Sequence, residues 1–137
     1  MKDNHIDYQV GDHLPSLVVK VDRDDLRRYA HASKDFNPIH QDDDAAKKAG
    51  LDGVVAHGMW TMGAAIRIVT ENMPQIRICG YRVRFARPVY VPSDRAAVLC
   101  VDADIAHRDA NRMTLNLVVT CEEKKVLTAA RVEVEVL

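Results

Sequence analysis

The second half of the chain alternates between apolar and polar positions. Met113, Leu115, Leu117, Val119 and Cys121 recur every second residue among mostly polar neighbours, and Val126, Ala130, Val132, Val134 and Val136 stand against Arg131, Glu133 and Glu135. A period of two puts one set of side chains on each face of an extended strand, so both segments read as antiparallel strands with one buried face. Ile76 to Val89 and Arg95 to Ala106 are further stretches rich in β-branched residues. Turn chemistry at Pro92-Ser93-Asp94, Asp109-Ala110-Asn111 and Glu122-Glu123-Lys124-Lys125 separates the four. Four successive strands joined by short turns predict a meander, and its apolar face needs a cover.

The first half supplies that cover. Leu14 to Val21 predicts a strand ending at Asp22, a good N-cap for a helix in which Leu26, Tyr29 and Ala30 share a face. Asp43-Asp44-Ala45-Ala46-Lys47-Lys48-Ala49 has its acids first and its lysines last, closed by Gly50, as the helix dipole and a glycine C-cap favour. From His57 to Asn72 runs the longest helical pattern. Met59, Met62, Ile66 and Val69 form one stripe, and Arg67, Thr70, Glu71 and Asn72 appear only late. One long helix with its N-terminal half enclosed nearly all round is expected. The architecture that follows is α+β, an antiparallel sheet curled around a central helix.

With 137 residues, 47% hydrophobic and 28% charged, the chain fits a single domain over 1–137 and excludes a disordered tail protein. Lys+Arg 19 against Asp+Glu 20 leaves no global basic field for nucleic acid or an anionic membrane. Met59 to Ile66, the longest uncharged apolar stretch, is far short of the ~20 residues that span a bilayer. The N-terminus MKDNHIDYQVGD carries charges where a signal peptide needs an apolar core, so a cytoplasmic location is expected. Cys79, Cys100 and Cys121 form no C-x-x-C pair and suggest neither a disulfide framework nor a zinc knuckle; they read as small apolar core residues.

Reactive residue types concentrate in Tyr29-Ala-His-Ala-Ser-Lys-Asp35-Phe-Asn37-Pro38-Ile-His40. Asp35 and His40 would diverge by about 140° on a helix and point to opposite faces of a strand, so neither regular element makes them converge. Pro38 drives Asn37 toward extended geometry, and the Asn37 side chain can bond nearby backbone. A fixed loop of this kind can aim a carboxylate and an imidazole at one water. The same residues are also the ordinary chemistry of a turn that ends a helix, with His40 on the surface. Ala56-His57-Gly58-Met59 opens the long helix with a glycine in its first turn. There unpaired N–H groups and the positive dipole end favour a developing oxyanion. Tight helix–sheet packing is the other reading of Gly58, and the two are compatible.

The run Asp35-Phe-Asn37-Pro38-Ile-His40, followed by Ala49-Gly50-Leu51 and Ala56-His57-Gly58-Met59, resembles the hydratase-2 motif of the MaoC-like (R)-specific enoyl-thioester hydratases, a hot-dog fold family. Arg84-Phe85-Ala-Arg-Pro88-Val89-Tyr-Val-Pro-Ser-Asp94 is similar to the segment in which the same family's sheet begins. The resemblance implies that Asp35 and His40 are the catalytic pair, that Asn37 orients the loop and that the Gly58 N–H is an oxyanion donor. It implies hydration of a trans-2-enoyl thioester to an (R)-3-hydroxyacyl thioester, or the reverse dehydration, with no metal and no organic cofactor. One departure is Lys34, where the family usually has glycine.

Other residues read structurally. His5, His13, His31 and His107 share no ligand spacing, and Ser16, Ser33 and Ser93 stand in no Gly-x-Ser-x-Gly context. His57 reads as a cap or packing group. Arg82 and Arg84 share a strand face and are either solvated or placed to meet the phosphates of coenzyme A or an acidic carrier protein. The expected partner is an acyl thioester of one of these carriers. Exposed sheet edges point to a homodimer, or to a heterodimer with another hot-dog subunit. A hot-dog thioesterase and a subunit of a heterodimeric dehydratase are the alternative functions.

Overall fold

A computed structural model describes residues 7–137 of the chain; Met1 to Ile6, and with them His5, lie outside the described residues. Its elements in chain order are β1 (Leu17–Val21), α1 (Arg23–Ser33), a 3₁₀ turn (Pro38–His40), α2 (Asp43–Lys48), α3 (Gly58–Ala65) and α4 (Arg67–Asn72). Four long strands follow: β2 (Ile76–Phe85), β3 (Ala97–Asp109), β4 (Arg112–Cys121) and β5 (Lys124–Val136). Asp22 caps α1 as expected, through a reciprocal pair in which the Asp22 carboxylate accepts the Asp25 N–H and the Asp25 carboxylate accepts the Asp22 N–H. Asp42 caps α2 by accepting the Ala45 N–H.

All strand pairs are antiparallel, in the order β1-β3-β4-β5-β2. The expected four-strand meander is therefore only three strands long. β2 pairs with β5, not with its sequence neighbour β3, because residues 86–96 make an irregular crossing in place of a tight turn. β1 and β2 are the two edges. The β4–β5 hairpin turns on Glu122 (φ 51°) and Glu123 (φ 64°), so two glutamates hold the left-handed geometry that short hairpins demand. In β5, Ala129 (φ 49°) marks a bulge that explains why the alternation lapses between Val126 and Ala130.

The buried face is the one the alternation predicts. Leu99, Val101, Ile105, Met113, Leu115 and Val132 pack in one cluster with Ala64, Ala65, Ile68, Val69 and Met73. The long helix breaks at Ile66, where the Val69 N–H bonds the Ile66 carbonyl three residues back at 2.9 Å. α3 is also less enclosed than its composition suggests: Thr61, Ala64 and Ala65 face the core, whereas Met59 is 63% exposed. An apolar surround does not by itself supply a second wall, and the described residues leave Met59 uncovered on that side. Of the three cysteines expected in the core, Cys121 alone packs against it. Cys79 and Cys100 are exposed and Cys121 is half-buried, since strand alternation sends Cys100 outward between buried Leu99 and Val101. Tyr81 ties β2 to α3 by donating its hydroxyl to the Met62 carbonyl at 2.6 Å, and burial pushes its pKa up to about 12.

Candidate active site

Helix α1 ends at Lys34, whose backbone is left-handed (φ 66°) and whose N–H bonds the Ala30 carbonyl at 2.8 Å. That reversal throws Asp35 out of the helix. The Asp35 carboxylate accepts the Asn37 N–H at 3.1 Å, and the Asn37 side chain accepts the Ile39 N–H at 3.2 Å. Two consecutive Asx bonds thus fix the loop, and Pro38 starts the 3₁₀ turn that delivers His40.

His40 is buried, at 8% exposure, contrary to the surface-turn reading. Its Nδ1 lies 2.7 Å from the Val55 carbonyl. A carbonyl only accepts, so Nδ1 carries the proton and neutral His40 keeps a lone pair on Nε2. The Val55 strap is itself held: the Val55 N–H bonds the Ile39 carbonyl, and the Asp43 carboxylate accepts the Val54 N–H at 3.0 Å while pairing with Arg23 at 3.0 Å. The Val54 hydrogen bond, ahead of the Arg23 charge, holds the Asp43 carboxyl below its usual range.

Asp35, His40 and His57 converge, with one ligand-type atom from each within 4.8 Å of the others. That span accommodates one water hydrogen-bonded to both Asp35 and His40. Within it the His40 and His57 rings stack face to face at 3.8 Å and 20°. Each ring commits one nitrogen to a backbone carbonyl.

His57 is the residue whose placement the sequence reading missed in part. It precedes α3 in the N-cap position, but its side chain caps nothing. It turns away instead, to lie against His40 and Tyr29. Gly58, Met59 and Trp60 then form the first turn of α3, whose N–H groups a helix leaves without intrahelical partners. Beside Gly58 opens a cleft of about 300 Å³, lined by Thr61, Phe85, Arg87, Val89 and Leu127 among others. Arg82 and Arg84 are both exposed on β2, as their shared face predicts, and Arg82 lies directly opposite Arg131 of β5.

Residues 8–123 match the family model described as MaoC like domain. Over 79 residues the chain is 39% identical to 3-hydroxyacyl-thioester dehydratase X of Mycobacterium tuberculosis, covering 58% of this chain and 28% of that protein. Over 83 residues it is 34% identical to a mitochondrial 3-hydroxyacyl-[acyl-carrier-protein] dehydratase of Arabidopsis thaliana, covering 61% of this chain and 49% of that one. The chain thus spans less than half the length of these curated relatives. A solved MaoC-like dehydratase superposes with a TM-score of 0.89 at 30% identity, over 96% of this chain and 41% of the other. The sheet wrapped on α3 is the hot-dog fold, and the chain belongs to the MaoC-like domain family.

Proposed function

We propose that this single hot-dog domain adds water to trans-2-enoyl thioesters, giving (R)-3-hydroxyacyl thioesters, and removes it in the reverse direction. The observation that carries the reading is the convergence of the Asp35 carboxylate and the buried His40 imidazole beside the open first turn of α3. Asp35 orients the water, and the lone pair on His40 Nε2 takes its proton as the water oxygen bonds to C3. The displaced electron pair moves through C2 onto the thioester oxygen, where the Gly58 N–H at the positive end of α3 stabilises it. Collapse of that enolate takes the proton from the pair to C2, so atoms and charge balance with no other reactant. Asn37 acts through the loop it braces.

The acyl thioester would lie in the cleft that opens beside Gly58 and is lined by Thr61, Val89 and Leu127, its carrier being coenzyme A or an acyl carrier protein. A second hot-dog subunit, identical or not, would cover the exposed edge β2 together with Met59 and Phe85, which are 63% and 56% exposed. Retention of Asp35 and His40 makes this chain the active one in either assembly.

The test is one enoyl-CoA sample followed in two ways. Loss of the enoyl absorbance without release of free thiol supports the reading. Thiol release would assign a thioesterase, and neither signal would leave a non-catalytic subunit. Light scattering on the active sample should show a mass above that of the monomer.

A further inference from the structure

We propose that His57 is a positioning residue for the Asp35/His40 pair, a neutral imidazole that holds the Asp35 backbone by a hydrogen bond and the His40 ring by face-to-face stacking. The inference rests on the hydratase reading above and goes beyond it, since the chemistry drawn there uses His57 nowhere.

Three contacts define the role. His57 Nε2 lies 3.1 Å from the Asp35 carbonyl oxygen and must donate to it. Its ring covers the His40 ring at a centroid distance of 3.8 Å and an angle of 20°. Tyr29 of α1 closes the far side edge-on at 4.9 Å. At 2% exposure, His57 has no face open to substrate. It therefore acts through the two residues it touches. His40 is left clamped between its own bond to Val55 and the His57 ring, which fixes the direction in which its Nε2 points.

The tautomer matters as much as the packing. With the proton on Nε2, Nδ1 of His57 is a bare lone pair, buried and without a hydrogen-bond partner among the described residues. A proton gained there would create a cation against the ring of His40, which itself becomes positive on taking the water's proton. The groups facing His57 are His40, Asp35 and Tyr29. Burial first, and the His40 charge after it, push the His57 pKa below the ordinary histidine value, while the bond to the Asp35 carbonyl and the Asp35 charge oppose this. His57 thus stays neutral while His40 cycles.

Mere packing and positioning predict different substitutions. His57→Leu keeps an apolar body of similar size and removes the N–H donor; His57→Gln keeps a neutral N–H donor. With folding checked by circular dichroism, His57→Leu should lower kcat for enoyl-CoA hydration at least about tenfold with KM within about twofold, and His57→Gln should hold kcat within about threefold of the parent. A folded Leu variant with parental kcat overturns the proposal, as does a folded Gln variant no better than Leu. Should His57→Leu fail to fold, a tenfold loss of kcat in folded His57→Gln overturns it equally. Long-range ¹H–¹⁵N spectra of His40 give a readout independent of turnover. The Val55 carbonyl keeps the Nδ1–H tautomer in every variant, so loss of the clamp should appear as broadened or doubled His40 ring signals in His57→Leu, against single sharp signals in the parent and His57→Gln, and identical His40 line shapes in all three overturn the proposal. If the parent hydrates no enoyl thioester, the hydratase reading falls and these spectra alone decide the role of His57.

Discussion

The ring of Phe85 stands over Gly58 so closely that a Cβ on the glycine would fall 3.1 Å from Phe85 Cε1. Phe85 ends β2 and is 56% exposed, so its ring can swing aside. Gly58→Ala should therefore leave thermal stability near that of the parent. The new methyl would still crowd the N–H that faces the developing oxyanion, and hydration should fall at least about tenfold. Thermal melts alongside kcat separate the two roles of Gly58: a large loss of stability with parental kcat would make it a packing glycine only.

Asp35 and His40 should behave as one unit. Asp35→Asn keeps an oxygen able to accept the Asn37 N–H, so the loop is expected to survive. His40→Ala removes a buried ring and leaves the Val55 carbonyl without its donor, at a cost of about 1–3 kcal/mol in a urea titration. Each should reduce hydration at least about a hundredfold, and the double variant should be little worse than either, because the surviving group has no held water to act on. Additive losses would show two independent roles.

The strands and their buried face were legible because alternation is a local signal that survives any topology. The position of β2 was not, since pairing across the sheet with β5 is decided by residues 86–96 and leaves no period in the sequence. Within the site, Asp35, Asn37, Pro38 and His40 were readable as a loop because Asx bonds and proline act between near neighbours. The stacking of His57 on His40 joins residues seventeen apart through an irregular strap, and no spacing rule reports it. Cys100 could have been placed correctly, since its neighbours Leu99 and Val101 already fixed the strand's phase.

Lys34 occupies a left-handed position (φ 66°), which a residue with a Cβ adopts at a cost. The family's usual glycine suits that backbone, so Lys34→Gly should stabilise the fold by about 1 kcal/mol. Hydration should stay within about tenfold, since a position normally filled by a residue without a side chain supplies no chemistry. A loss as large as that of Asp35→Asn would show that the amine has been recruited.

Arg82 and Arg131 face each other across the β2–β5 ladder, an arrangement that is unfavourable unless an anion joins them. Arg82→Glu should raise stability by roughly 0.2–1 kcal/mol. If the pair meets the carrier's phosphates or acidic surface, the same change should raise KM several-fold with kcat unaltered, and more at low salt than at high salt. Equal KM values at all salt concentrations would make this a solvated strand face.

Stability should depend on pH through His57. Its pKa lies below 6.5 in the folded protein, mainly through burial, whereas the unfolded chain takes up its proton near 6.5. Between those two values the unfolded state binds the extra proton and is favoured. The contribution is therefore complete above about pH 6.5 and is lost as the pH falls toward the folded value, with a slope of at most ~1.4 kcal/mol per pH unit. His57→Gln has no such proton to take up. In urea titrations from pH 7.5 down to 5, the parent should lose stability faster than the Gln variant, and the two should run parallel above pH 7. Parallel lines over the whole range would assign the acid sensitivity to other groups and leave His57 protonated in the fold as readily as in the open chain.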